Sequence, residues 1–459
     1  MVSTQARLTH GPVGRHLVDM TVPVLFGVFT MMLQAFVDAY FVGQVGDREL
    51  AALGFTFPVL MLVSSVAIGL GAGTSSVVAR ALGSNDHRRA RRLTTDSLLL
   101  SFGITAAICV VGILTIAPLF RLLGAPDDLL PLIGGYMKIL YTGVPFVVVG
   151  MVGMSSMRAT GDTRLPSLLM VICAVVNVVL DPILIFGFGP IPAMELNGAA
   201  MAALLARGAL FFGALYFMRK RLDMLSFNRP DPEELRKSWI DILHVGIPAA
   251  GTNAIIPIAT GAITAMLARY GPEAVAGFGV ATRVEALTLV MYYAMSAIIG
   301  PFVGQNISAG KADRIYLALR LCTIFCLVSG LVIAALLAAS SIFLPSLFSD
   351  NPAVTGVATR FLLIAPLGYG AYGMVMVMNA SFNGMGKPMP GVAISLIRLA
   401  GLYLPLAFIA DRWFGVPGIF AAYTVANIVT GIAAYIWARS AVQSQCDKHG
   451  PRIMVTETV

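Results

Sequence analysis

Twelve stretches of this chain are predominantly apolar over about 20 residues or more, the length a helix needs to cross the hydrocarbon core of a bilayer. They fall near residues 17–43, 51–82, 93–123, 129–157, 165–188, 197–218, 240–270, 274–309, 315–348, 354–383, 391–413 and 417–438. The reading is an all-α integral membrane protein with twelve transmembrane helices. Composition agrees: 58% of the 459 residues are hydrophobic and 12% charged, against about a quarter charged in a soluble domain. A net charge of +8 would suit nucleic acid if it were gathered on one face. Here the basic residues form short clusters between apolar runs, as loops of a membrane protein do, so no nucleic-acid partner is expected.

Those clusters assign an orientation. Arg88, Arg89, Arg91, Arg92, Arg158, Arg164, Arg219, Lys220, Arg221, Arg229, Arg236, Lys237, Lys311, Arg314 and Lys387 occupy one alternating set of loops. The other set holds only Arg48, Arg121, Arg269, Arg283, Arg360 and Arg412. The positive-inside rule makes the richer set cytoplasmic, and with it both termini of a multi-pass protein of the inner (plasma) membrane.

The chain also repeats itself. "VGDRELAALGF" from Val45 returns as "YGPEAVAGFGV" from Tyr270, displaced by 225 positions, and Pro23 and Pro248 share that displacement. "SSMRATGDTRLP" and "ASFNGMGKPMPG" pair Gly161 with Gly386 at 225 as well. "ALGSNDHRRA" and "SAGKADRIYL" match Gly83 with Gly310 at 227. Each half then holds six spans, an even number, so the halves are parallel repeats, a plan found among secondary transporters. The expected domains are an N-terminal lobe (1–222), a cytoplasmic amphipathic linker (223–244) and a C-terminal lobe with its tail (245–459). In the linker Asp231 reads as an N-cap with Pro232 at the first helical position, and Leu235, Trp239 and Ile242 mark one apolar face.

Two acids lie well inside apolar runs: Asp38 in the first and Asp181 in the fifth. A charge at the bilayer centre costs about 3 kcal/mol or more, so an acid there marks a functional site by default. The bland reading is an acid bonded to a neighbouring helix merely to hold the lobe together. Spacing sharpens the functional one. Gln34 and Asp38 are four apart, as are Asn177 and Asp181, so each helix turns one amide and one acid to the same face. Pro182 removes a backbone donor just where Asp181 sits. Two carboxyls facing one another titrate as a coupled pair, neutral when loaded and charged when empty.

At these residues a resemblance emerges. Pro23 and Asp38 followed by "FVGQVGDRELAA", "ARALGSND", "MRATGDTRLP", "NVVLDPILIFG" and "GQNISAGKADR" resemble the multidrug and toxic compound extrusion (MATE) family over nearly the whole chain, most closely its prokaryotic DinF-like branch. The resemblance implies two six-helix lobes around a central cavity, with Asp38, Asn177 and Asp181 as a cation- or proton-binding site in the N-terminal lobe. Two departures stand out. Where relatives supply a sixth-span threonine, this chain has Ala203, one oxygen fewer for a sodium ion. The acids that other branches carry in the seventh and tenth spans are missing.

Gln34, Met31, Met154, Met157, Glu285, Tyr292 and Asn379 are further candidates for a substrate cavity. Glu285 shares a helical face with Thr288 and Tyr292, but lies near the outer end of its span beside Arg283, where a solvated or ion-paired role is the plainer reading. The methionines suit pliable binding surfaces, though core or lipid-facing packing is their commoner use. Cys322 and Cys326 share a helical face without any His or acid, so no metal site, cofactor or enzymatic chemistry is expected.

The function expected is a monomeric secondary antiporter that exports organic cations or amphipathic drugs against inward protons. Sodium coupling, a channel, or a flippase for lipid-linked saccharides are the alternatives. A flippase calls for basic residues at mid-membrane depth, and the charges read there are acidic.

Overall fold

The computed structural model describes residues 6–228 and 231–448 and is helical nearly throughout. In chain order the helices are α1 (Val13–Val45), α2 (Asp47–Gly83), α3 (His87–Leu122), α4 (Leu130–Ala159), α5 (Arg164–Phe186) and α6 (Glu195–Lys220). They continue with α7 (Pro232–Leu267), α8 (Pro272–Thr288), α9 (Val290–Ser308), α10 (Ala312–Ala339) and the short α11 (Phe343–Ser346). The last are α12 (Pro352–Ile364), α13 (Tyr369–Gly384), α14 (Met389–Leu396), α15 (Leu404–Phe414) and α16 (Val416–Lys448). Among the described residues eleven stretches are long and apolar enough to cross a membrane, Pro352–Gly384 and Met389–Phe414 each counting as one. The α8–α9 pair, bent by 45°, completes twelve. A π-helical turn, Ile397–Tyr403, joins α14 to α15.

Side chains start several helices, at Asp231 as the sequence leads one to expect and at Asp162 and Asn351 besides. Asp162 Oδ1 accepts the backbone N–H groups of Arg164 and Leu165 at the head of α5. Asp231 Oδ1 accepts that of Glu233 at 3.1 Å, with Pro232 at the first position of α7, and Asn351 caps α12 through Ala353. These bonds satisfy donors that a helix start otherwise leaves open.

The repeat is visible in the backbone. Gly161 and Gly386 both adopt positive φ (86° and 73°), and their N–H groups close equivalent turns onto Arg158 and Asn383. At the other matched loop the left-handed residues are Asn85 (φ 62°) and Gly310 (φ 69°), 225 positions apart, so the sequence pairing of Gly83 with Gly310 is two positions out of register. Asparagine tolerates the left-handed conformation that glycine adopts freely, which hides the equivalence in the letters. The bonds flanking the two residues repeat at the same displacement, Asp86 N–H to Ala81 and Lys311 N–H to Asn306, both 2.9 Å. The α5 and α14 starts, Arg164 and Met389, keep it too. In the sixth span of each half the displacement is 220: Gly198 packs on the Leu184 carbonyl and Gly418 on that of Ala410.

Two compact units emerge. Among the described residues the first comprises 20–78, 87–228 and 231–257, and the second 6–19, 79–86 and 258–448. In the first, the segment after α6 is strapped to the head of α3. Arg91 pairs with Asp223 at 3.0 Å, Arg92 donates to the Asn228 carbonyl, and Ser226 N–H donates to Thr95. The expected amphipathic helix is not a separate element. It is the start of α7, which runs on without a break, Trp239 donating to the Asp96 carbonyl. Glycine admits close packing of α2 on α7, Gly69 against Gly246 and Gly73 against the Ile242 carbonyl. In the second unit Arg314 donates to the carbonyls of Leu8 and Gly11, and Gln305 accepts the Leu8 N–H.

Candidate functional site

Asp38 lies in the last third of α1, and Asn177 and Asp181 lie one turn apart in α5. The first unit brings all three together. Gln34 Nε2 donates to Asn177 Oδ1 at 2.7 Å, and Asn177 Nδ2 donates to Asp38 Oδ1 at 3.1 Å. Asn177 is thereby fixed by both of its ends and ties α1 to α5. The carboxyls of Asp38 and Asp181 lie within hydrogen-bonding reach of each other. Asp181 is fully enclosed, and neither of its oxygens meets a donor with hydrogen-bond geometry. A buried acceptor pair without a donor is costly. A proton shared between the two acids satisfies it, because one carboxyl then donates to the other.

Two further side chains reach this pair, and the sequence reading passed over both. Tyr136 of α4 is buried within the field of both acids. Arg207 of α6 acts electrostatically on Asp38, Tyr136 and Cys173. It stands near the middle of its span, in "AALLARGALFFG", so the rule that singled out the acids, an ionisable group deep in an apolar run, also marks it. The expectation that mid-membrane charge is purely acidic is therefore corrected.

Among the methionines, Met154 and Met157 are core residues, 2% and 0% exposed, because the face of α4 that carries them packs inward. Met31 is half-buried against a cluster of Met154, Met170, Cys173, Ala206 and Leu210. The expectation that Met154 and Met157 line a cavity does not hold here.

In the second unit Glu285 is not a solvated residue at the end of a span. It stands one turn before the bend between α8 and α9, and its Oε1 accepts the Tyr423 hydroxyl at 2.8 Å. Arg398, 4% exposed, projects from the π-helical turn within its electrostatic reach. The guanidinium donates to Asn427 Oδ1 at 3.1 Å and lies 4.4 Å from the centre of the Tyr372 ring. The sequence reading missed Arg398 as it missed Arg207. Tyr292 does not join Glu285. It is fully enclosed against Gly373, with its hydroxyl 3.1 Å from Ser329 Oγ. The helix break at Leu289 turns the face, so the half-exposed Tyr293 neighbours Glu285 instead. Asn379 spends its amide donor on Ser395 across the α13–α14 contact.

Comparison with known proteins adds ancestry to this geometry. The MatE family profile matches residues 23–183 and 248–409, one block in each half. A protein of Shewanella oneidensis named "FAD transporter" is 39% identical over 432 residues, covering 94% of this chain and 96% of that protein. "Multidrug export protein MepA" of Staphylococcus aureus is 24% identical over 436 residues, 93% of each. Among solved structures, the MATE transporter VcmN of Vibrio cholerae in its bent form superposes with a TM-score of 0.90 at 31% identity, covering 94% of this chain and 98% of that one.

Proposed function

The chain belongs to the MatE family of multi-pass membrane transporters, and from that premise we propose that it is a proton-coupled antiporter. Asp38 and Asp181 take up the proton, and Asn177 and Gln34 hold the two acids in register. The observation that carries this reading is the enclosed Asp181 carboxyl, facing a second carboxyl and with neither oxygen in hydrogen-bond geometry with a described donor. Protonation of such a pair changes local charge by one unit deep in the lobe. That is enough to favour one conformation over another when the two differ in how well they hold the proton. Alternating access of two lobes in the plasma membrane, with both termini cytoplasmic, then exchanges proton for cargo.

For cargo the first reading is a flavin dinucleotide. It is supported by the Shewanella relative, whose identity of 39% stands well above the 24% of the multidrug exporter. Arg207 and Arg398 also give each lobe a cation at membrane depth, chemistry suited to an anionic pyrophosphate. They remove the charge argument that set the flippase aside. Proton and cargo need not share a site in either case. Export of organic cations is the second reading, favoured by the acid pair itself.

The test uses proteoliposomes loaded with FAD or with ethidium, under an imposed inward proton gradient and without sodium. Gradient-driven loss of FAD in excess of ethidium supports the flavin reading, and the reverse order supports the cation reading. Export that follows a sodium gradient and ignores the pH gradient ends the proton reading.

A further inference from the structure

Arg207 is the one cation among the described groups facing the acid pair, and the coupling scheme does not use it. It sits twelve residues from one end of α6 and thirteen from the other. Its neighbours on the helix, Ala206 and Leu210, pack with Cys173 of α5 and Met154 of α4, and Cys173 and Asp38 both lie within its electrostatic reach. It is half-buried, and it makes no hydrogen bond or close ion pair with any described residue. A permanently charged group at this depth is costly and calls for a compensating charge. Asp38 is the acid within its electrostatic reach.

The repeat sharpens the point. Its counterpart in the second half, 220 positions on, is Asn427, and Asn427 accepts a hydrogen bond from Arg398. Arg398 itself stands 225 positions on from Cys173, the residue beside Arg207. Each lobe thus places one guanidinium between its fifth and sixth spans, carried by opposite helices. In the second lobe that guanidinium is fixed by an amide and an aromatic ring. In the first it is left free to act through its charge alone.

We propose that Arg207 is the resident counter-ion of the Asp38–Asp181 pair and sets the number of protons exchanged per cycle to one. The inference rests on the proton-coupling reading of that pair. With both acids ionised, the two carboxylates and the guanidinium leave one net negative charge. A single proton neutralises the group, and a second proton would leave it positive in a low-dielectric site. The groups facing the acids are Gln34 of α1, Tyr136 of α4, Cys173 and Asn177 of α5, and Arg207 of α6. Of these only Arg207 is a cation. Arg207 is a positioning residue for charge, and it need not touch cargo.

Two measurements test this. The first needs no cargo: pH-difference infrared spectroscopy of the purified full-length protein, reading the C=O stretch of protonated carboxyls. The wild type is expected to show one Asp38–Asp181 proton, a signal absent from the Asp38→Asn/Asp181→Asn double variant. Arg207→Gln is expected to show two, and Arg207→Lys to restore one. The second is the reversal potential in proteoliposomes with whichever of FAD or ethidium exchanges for protons. The charge moved per cargo molecule should differ by one between wild type and Arg207→Gln. That difference is a tenfold change in the balancing cargo gradient per about 59 mV.

Equal proton counts in wild type and Arg207→Gln overturn the proposal while leaving the acids as the coupling site. Exchange that survives both Asp38→Asn and Asp181→Asn removes the coupling reading, and this inference with it. A structural role for Arg207 is recognised by thermal instability of the variant at an unchanged proton count.

Discussion

The two lobes share a backbone plan but solve the problem of buried charge in opposite ways. In the second, Glu285 receives a hydroxyl from Tyr423, and Arg398 is held by Asn427 and the Tyr372 ring. In the first, among the described residues, neither Asp181 oxygen is in hydrogen-bond geometry with a donor and Arg207 makes no hydrogen bond. The positions 225 on from Asp38, Asn177 and Asp181 are Ile263, Leu402 and Leu406, so the acid pair has no copy in the second lobe. A charge with fixed partners holds a structure, whereas a charge left short of partners gains by binding something. On this comparison the proposed coupling belongs to the first lobe, while the charges of the second are placed to tie its helices together.

The largest expected effect follows directly. Asp38→Asn and Asp181→Asn should each abolish gradient-driven export, because an amide mimics the protonated acid and cannot cycle. Both variants should insert and fold, since Asn at position 38 keeps an Oδ1 that can accept the Asn177 amide and neither Asp181 oxygen has a hydrogen bond to a described residue to lose. Wild-type transport by both, measured in proteoliposomes, would break the comparison at its strongest point.

The second lobe should respond in the other currency. Arg398→Met removes the cation near Glu285 and should destabilise the protein by about 3 kcal/mol, the scale for breaking one side of a buried pair. Thermal unfolding in detergent reads this. The protons exchanged per cargo molecule should stay as in the wild type. A changed proton count with unchanged stability would mean that the second lobe couples as well.

Much of this was legible in the letters, for physical reasons. Spans are readable because a bilayer imposes a length, and Asp38 and Asp181 because burying charge is costly. Asn177 and Gln34 followed from helical spacing, and they do bond across to each other. What failed was whatever depends on a change in helical phase. No proline or glycine announces the break at Leu289, so Glu285 and Tyr292 were read as sharing a face that the bend divides. The π-helical turn around Arg398 is equally silent. The arginines were missed for another reason: the cost of burial was applied to acids and not to cations of the same depth.

The smallest effect separates two adjacent tyrosines in that bent span. Tyr292 is enclosed, its ring against Gly373 and its hydroxyl by Ser329, while Tyr293, 39% exposed, neighbours Glu285 and Arg398. Tyr292→Phe removes one hydroxyl from a packed interior and keeps the ring. The expected cost is about 1 kcal/mol, the usual net worth of one hydrogen bond, with cargo affinity unchanged. Tyr293→Ala removes a ring that offers a face to the surroundings beside the second lobe's cation. It should weaken export of an aromatic cargo by about fivefold, equivalent to about 1 kcal/mol of stacking, with little change in thermal stability. The concentration dependence of export read alongside thermal unfolding distinguishes the two. If Tyr292→Phe changes cargo affinity and Tyr293→Ala does not, then the face of the span that meets cargo is the one a straight helix would present, and the break at Leu289 has no bearing on recognition.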